Sequence, residues 1–587
     1  MLRSLTAALA ASCLLAGCQG TDAQALTHRP VPAPPAVDGA QPVLWVALED
    51  HLGKAPLQLV AAGSALELSD ATGTLGRAQR FSFRWRAQPL PEPLTVRRRV
   101  LGPFSSFETA EQAALAWRRL GANAVVAHPG EWEVWAAPEK SAPAEYSSKL
   151  EEQVISEVLT LQVQRPEGWR TLQAPVRIEA PGGLRWEGGV FQGPFRLQPD
   201  AYGSWTLVEQ VPLERYLQGV VPHEIGAGAP AAALAAQAVL ARTWALGNQH
   251  RFALDGYHLC SDTQCQVYSD PRLARSGVKA AIRATQGQVL AWQGKPIHAV
   301  YHASNGGVSA NEDEAWSLPD LPYLEPAFDR AGGAPQGLAL PLSQRQQVRS
   351  VLAATAGVYG QNHPYFRWQR VLGQETFARA LGSGAAAVGS PVQPVVLERG
   401  PSGRVVRLAL RGPLGERVLV RDAIRRTLRR LPSTLFVIEP AGSGLWRFEG
   451  GGFGHGAGLS QAGAIDLGGR GWTVQQILRH YYPGTELVPL PSLGTTKGGL
   501  LESSHPWDRH GRWGHSHRSA PTAGLPVSDR LLRGCSSPPS AACGPGPLAG
   551  RGPDVLVGLV RPAGRFSARV PRAPGGERDG ARELARR

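Results

Sequence analysis

The sequence predicts an α+β fold, rich in strands with a few packed helices. Three observations carry that reading: short apolar–polar alternations, isolated helical stretches with clear stops, and a C-terminal segment that builds neither. The alternation is plain in Val43-Leu44-Trp45-Val46-Ala47 and in Arg80-Phe81-Ser82-Phe83-Arg84-Trp85. Residues 95–137 read strand, helix, strand, with a helix over Thr109–Leu120, a stop at Gly121 and a return at Val125-Val126. From Ala174 to Val211 the pattern is again β, with turns at Pro181-Gly182-Gly183 and Gly193-Pro194. Tyr216–Val221 reads as a further apolar strand. The Ala-rich run Pro230–Leu246 predicts a helix, with proline in the first turn and Gly247 as its stop. Thr473–Gln476 fits a capping box opening a helix that buries Ile477, Leu478 and Tyr481 and breaks at Pro483-Gly484. Beyond Pro491, Arg, Gly, Pro and Ser dominate. Such a composition cannot offset its ordering entropy, so residues 491–587 are expected to be disordered, with His505, His510, His515 and His517 as solvated side chains.

A chain of 587 residues exceeds one core and implies several modules. The formal charge of +14 argues for a nucleic-acid partner only if it is spread evenly. It is not: residues 491–587 hold 15 Lys and Arg against 7 Asp and Glu, so more than half of the excess sits there. The body is only mildly basic, and no nucleic-acid partner is expected. At the start, Arg3 precedes an apolar stretch, Leu5–Leu15, that is too short to span a bilayer. Leu15-Ala16-Gly17-Cys18 then looks like a bacterial lipobox, whose Cys18 would carry the lipid; an ordinary secretory signal with a chance cysteine is the alternative. The expectation is an exported protein, anchored at the envelope and facing wall or periplasm, in a compartment that permits disulfides. The expected division is 1–18 signal, 19–40 flexible tether, 41–165 N-terminal β-rich region, 166–490 main domain and 491–587 tail.

Four segments, in order, carry a resemblance. They are "VPLERYLQGVVPHEIGAGAPAAALAAQAVLARTWAL" (211–246), "LCSDTQCQVY" (259–268), "AVYHASNGGVSANEDEAW" (299–316) and "GGFGHGAGLSQAGAIDLGGRGWTVQQILRHYYPGTEL" (451–487). Together they resemble the SpoIID/LytB family. The resemblance implies a β-rich catalytic core acting on peptidoglycan glycan strands. The stretch "GPFSSFETAEQAALAWRRLGANAVVA" ahead of it is similar to small SPOR-type α/β glycan-binding modules.

Glu224 is the candidate catalytic residue. A carboxyl flanked by apolar residues has its pKa raised by desolvation, and a protonated carboxyl is what a leaving glycosidic oxygen needs. The resemblance implies a lytic transglycosylase, in which the muramic acid's own 6-hydroxyl closes on C1 and a single Glu serves as acid and then base. The plain alternative is a loop carboxylate paired with His223. Gln237 and Arg242 lie in an otherwise apolar helix, so they either brace the Glu224 loop or reach sugar hydroxyls and acetamido groups. Tyr301, His302, Ser304, Asn305, Gly306 and Gly307 form a loop whose glycines permit close backbone approach to a ligand. His455 and Gln461 belong to a second such loop, and Trp316 is the candidate sugar platform; each divides evenly between substrate contact and architecture.

Family loops resembling 259–268 carry a histidine where Gln264 stands, with zinc bound nearby. His258, Cys260 and Cys265 remain as possible ligands, but structural zinc takes four, and a Cys260–Cys265 disulfide is the favoured reading. No cofactor is required. Two rival functions stand beside the enzyme: a glycan-binding enhancer of a separate cell-wall amidase, and a zinc hydrolase using His302 and His455. The latter lacks any paired spacing such as His-x-x-x-His.

Overall fold

The computed structural model describes residues 26–490, apart from positions 40, 317, 319, 320 and 430. The lipobox, the signal segment and the tail lie outside the described residues. Alternation in the first strand, Val43–Leu52, buries Leu44, Val46 and Leu48 while Val43 stays exposed. That strand sits near one edge of a seven-stranded sheet. The order is Leu259–Cys260, Val43–Leu52, Trp205–Pro212, Phe195–Pro199, Val176–Glu179, Leu66–Asp70, Gly73–Ala78, and only the first pair is parallel. A second, eight-stranded antiparallel sheet runs from Gly189–Phe191 through Leu184–Trp186, Leu57–Ala61, Arg80–Phe104 and Trp132–Ala136 to Val125–Ala127. Ser148–Arg165 pairs along the 25-residue strand Arg80–Phe104.

Both sheets draw strands from before and after residue 165. The regions expected as separate modules there share sheets and one hydrophobic core, in which Leu44, Phe83, Leu161, Ile178 and Leu207 meet. Residues 26–38, expected within a flexible tether, also pack on the body. Leu26 bridges to Val96, Val37 is buried, and its N–H donates to Gln249 Oε1 at 2.9 Å.

The helix α1 (Phe107–Arg119) lies where the sequence predicts it, capped by Ser106. The strands on either side of it, Arg80–Phe104 and Val125–Ala127, run parallel but do not pair with each other: Trp132–Ala136 lies between them, antiparallel to both. The segment expected as the strand Tyr216–Val221 is instead the helix α2 (Leu213–Val221). Its buried Leu213, Tyr216, Leu217, Val220 and Val221 recur at i, i+3, i+4, i+7 and i+8, which is helical spacing. Pro222 lacks an N–H and cannot continue the regular ladder, and a single π-helical turn, Pro222–Gly226, follows. After Pro230 comes α3 (Ala231–Gly247), buried on nearly every side, as an apolar all-round helix must be. It packs against α4 (Ser276–Ala284), α5 (Gln461–Gly469) and α6 (Val474–Tyr481). The predicted capping box of Thr473 and Gln476 opens α6.

Between residues 310 and 458 two three-stranded antiparallel sheets enclose a core of their own, containing Trp368, Leu372, Phe377, Leu408, Phe436 and Phe448. Among the described residues no helix is long and apolar enough to cross a membrane.

Candidate active site

Glu224 projects from the π-helical turn between α2 and α3, so it follows a helix and not the strand the sequence suggested. It is part-exposed, while the neighbouring Ile225 is buried. The Val267 N–H donates to Glu224 Oε1 at 3.0 Å. Burial pushes the carboxyl up to about 7, against the opposing pull of that N–H and of the Gln461 and Tyr301 side chains. His223 is exposed and makes no ion pair with Glu224 among the described residues.

The groups around Glu224 are themselves held. Gln461, just after the cap residue Ser460 of α5, donates from Nε2 to Gln237 Oε1 at 3.3 Å. Gln237 is fully buried in α3, and its own Nε2 has no partner among the described residues. Tyr301 Oη accepts from Gln266 Nε2 at 2.9 Å, and Gln266 Oε1 accepts from Tyr216 Oη at 3.2 Å. Gln266 and Val267 escaped the sequence reading, although the loop that carries them was singled out for its cysteines. Cys260 and Cys265 form a disulfide that closes this loop one residue before Gln266. His258 is committed on both ring nitrogens: Nδ1 accepts from Trp45 N at 2.8 Å and Nε2 donates to Pro35 O at 2.8 Å. With its sulfurs joined and its imidazole engaged, this trio does not fit a metal.

Other sequence candidates turn out to be architecture. Arg242 is fully buried and forks onto Glu214, with Nε to Oε1 at 2.7 Å and Nη2 to Oε2 at 2.8 Å, and Nη1 donates to Gln288 O at 2.9 Å. It fastens α3 to α2 and has no face left for substrate. Asn305 is buried, donating to Asp329 Oδ2 at 2.7 Å and accepting from the Gly307 N–H at 2.8 Å. Ser304 is buried and its backbone pairs with Phe453. The close approach that needs Gly306 is backbone against backbone: a Cβ there would lie 2.6 Å from the Gly451 carbonyl carbon, at φ +73°. Gly307, at φ +102°, faces Val358. Thus the two glycine loops clasp each other, completed by the parallel pairing of Tyr301–His302 with Leu459–Ser460.

His302 donates from Nδ1 to Ala457 O at 3.1 Å, and its buried Nε2 has no partner among the described residues. His455 donates from Nε2 to Tyr301 O at 2.8 Å and accepts at Nδ1 from Ala457 N at 3.2 Å. Both imidazoles are kept neutral by burial, His302 well below the usual range and His455 down to about 4. With both nitrogens of His455 engaged, the pair is no metal centre. Trp316 is buried against His455, ring centroids 4.6 Å apart, and is not an exposed sugar platform.

A proton-holding carboxyl on a turn between two helices, steadied by a backbone N–H and two polar side chains, defines a candidate acid–base centre on an α+β scaffold. Residues 201–292, which contain that turn, match the Stage II sporulation protein (SpoIID) family model, and residues 310–458 match a domain of unknown function, DUF8618. The chain therefore carries a SpoIID-family domain. It is similar to the stage II sporulation protein D of Bacillus amyloliquefaciens, 28% identical over 303 residues, covering 48% of this chain and 75% of that protein. The protein of the same description from Bacillus subtilis is also 28% identical, over 299 residues with the same coverage. An amidase enhancer of Bacillus subtilis is 28% identical over 298 residues, 46% of this chain and 40% of that protein.

Proposed function

We propose that this chain acts at the bacterial cell wall as a lytic transglycosylase. It would cleave the β-1,4 bond between MurNAc and GlcNAc in peptidoglycan glycan strands, with Glu224 as the single acid and base. The observation that carries the reading is a part-exposed carboxyl on the turn between α2 and α3, held by the Val267 N–H, which burial pushes up to about 7. Such a group is protonated often enough near neutrality to donate and is basic enough afterwards to accept. In the first step the Glu224 proton passes to the glycosidic oxygen as the C1–O bond breaks. The resulting carboxylate then takes the proton of the muramic 6-hydroxyl while that oxygen bonds to C1, leaving a 1,6-anhydro end and a neutral Glu224. The Val267 N–H and the Gln461 and Tyr301 side chains favour the ionised form, so they ease donation and stabilise the intermediate state. Gln237, Gln266 and Tyr216 are positioning residues, each acting on Glu224 through another side chain.

The similarity to an amidase enhancer favours a second reading, in which the chain binds glycan and positions a wall amidase. Export and lipidation at Cys18 accompany either reading, and a Cys18→Ser variant would then appear in the soluble exported fraction. Release of fragments from dye-labelled sacculi separates the two functions. The expected result is release by the unaltered chain and its loss in Glu224→Gln, with glycan co-sedimentation unchanged. Binding without release by the unaltered chain would replace the enzyme with the enhancer.

A further inference from the structure

Away from Glu224, the chain brings two imidazoles and a carboxylate together from two different sheets. Asp50, His51 and His128 each offer one ligand atom, and these atoms lie within 4.8 Å of one another. We propose that they form a binding site for a divalent metal ion of the zinc class, tying the seven-stranded sheet to the eight-stranded one. Nothing in the Glu224 reading bears on this site, and the two share no residue.

Consecutive strand residues normally face opposite ways, so Asp50 and His51 should not converge. They do so because the pairing of Val43–Leu52 with Trp205–Pro212 slips between Glu49 and Leu52, and His51 takes φ +52°. A non-glycine residue in that region is uncommon. The result sets His51 Nε2 3.8 Å from Asp50 Oδ2. Ligand atoms around a tetrahedral zinc stand about 3.4 Å apart, as bonds of about 2.0–2.1 Å require. Small side-chain rotations close that gap.

The far side of His51 is arranged as metal-bound imidazoles usually are. Its Nδ1 lies 3.4 Å from Ser204 Oγ, and that hydroxyl donates in turn to Asp200 Oδ2 through a short hydrogen bond. The relay fixes the tautomer that leaves Nε2 free for a metal. His128 follows the strand Val125–Ala127 and packs on Trp132, ring centroids 4.4 Å apart. Among the described residues no hydrogen bond engages its ring nitrogens. The surroundings also favour a cation. The Asp200 carboxylate, which accepts from the Ser204 hydroxyl beside His51, lies close by. Three protein ligands leave a fourth position for water.

The test uses the full exported chain, freed of metal by chelator and dialysis and titrated with Zn2+ in a calorimeter. One ion per chain and a rise in Tm of several degrees are expected. Asp50→Asn and His128→Gln should each weaken binding at least tenfold and abolish the Tm rise. A variant with His505, His510, His515 and His517 replaced by Gln should bind as the unaltered chain does. Cobalt substituted in the unaltered chain should give a spectrum of nitrogen and oxygen ligands with no thiolate band. Absence of binding, binding that follows the four tail histidines, equal affinity in Asp50→Asn and His128→Gln, or a thiolate band would each overturn the proposal.

Discussion

At the scale of single residues, Glu224 and Arg242 are handled in different ways. Glu224 is raised from about 4.5 to about 7 by burial, so the folded chain prefers its neutral form. A carboxyl raised in this way contributes its stability fully below the unfolded pKa and loses it as pH rises through the folded one. Denaturant unfolding of the unaltered chain and of Glu224→Gln should therefore diverge between pH 4.5 and 7. The unaltered chain should lose about 1–3 kcal/mol relative to the variant over that window. Parallel pH curves would mean that Glu224 is not desolvated. Arg242 is instead fully buried and forked onto Glu214. Arg242→Met removes a bidentate partner and should cost about 2–4 kcal/mol, somewhat less than a fully enclosed pair because Glu214 keeps some solvent. In variant protein that still folds, KM for glycan strands should be unchanged; a raised KM would return Arg242 to the substrate site.

At the scale of elements, the four motifs marked the right neighbourhood, but the sequence concealed how they are used. The helix α2 was legible in principle, since Leu213, Tyr216, Leu217, Val220 and Val221 keep helical spacing. The β-branched pair at its end and the shortness of the run made it look like a strand. Glycine content in "HASNGG" and "GGFGHGAG" signals close approach, and only tertiary structure tells whether a ligand or another backbone approaches. Here it is backbone and a buried guanidinium. A Cβ on Gly456 would collide with the Arg404 guanidinium, and one on Gly306 with Gly451. Gly456→Ala and Gly306→Ala should each lower stability by more than about 2 kcal/mol, through overpacking and backbone strain together. Gly226, at φ +87° with nothing within 4 Å of a built Cβ, is the control; Gly226→Ala should cost only about 1 kcal/mol. Equal Tm losses in all three would show that strain alone, and not the clasp, needs glycine. Val267 was invisible because a backbone N–H carries no sequence signature, and Gln266 because a lone loop glutamine does not show which side chains it will meet.

At the scale of the whole molecule, length and composition suggested a boundary near residue 165, and the structure shows sheets and a core shared across it. Strands from either side of residue 165 share both sheets, a non-local pairing that no local pattern encodes. The consequence is mechanical. The turn bearing Glu224 rests on α3, which is packed into the core common to both sheets, so the carboxyl is held by the body of the chain and not by a mobile loop. Such rigidity suits a single group that must donate a proton and recover one from a hydroxyl held at the same place. The products record whether it does. Mass spectrometry of purified glycan strands digested by the unaltered chain and by Glu224→Gln is the most direct measurement. Fragments one water lighter than hydrolysis products, ending in 1,6-anhydromuramic acid, are expected, with a loss of about 10²–10⁴-fold in their rate of formation in the variant. Reducing-end fragments, or anhydro ends formed equally fast by Glu224→Gln, would contradict this mechanism.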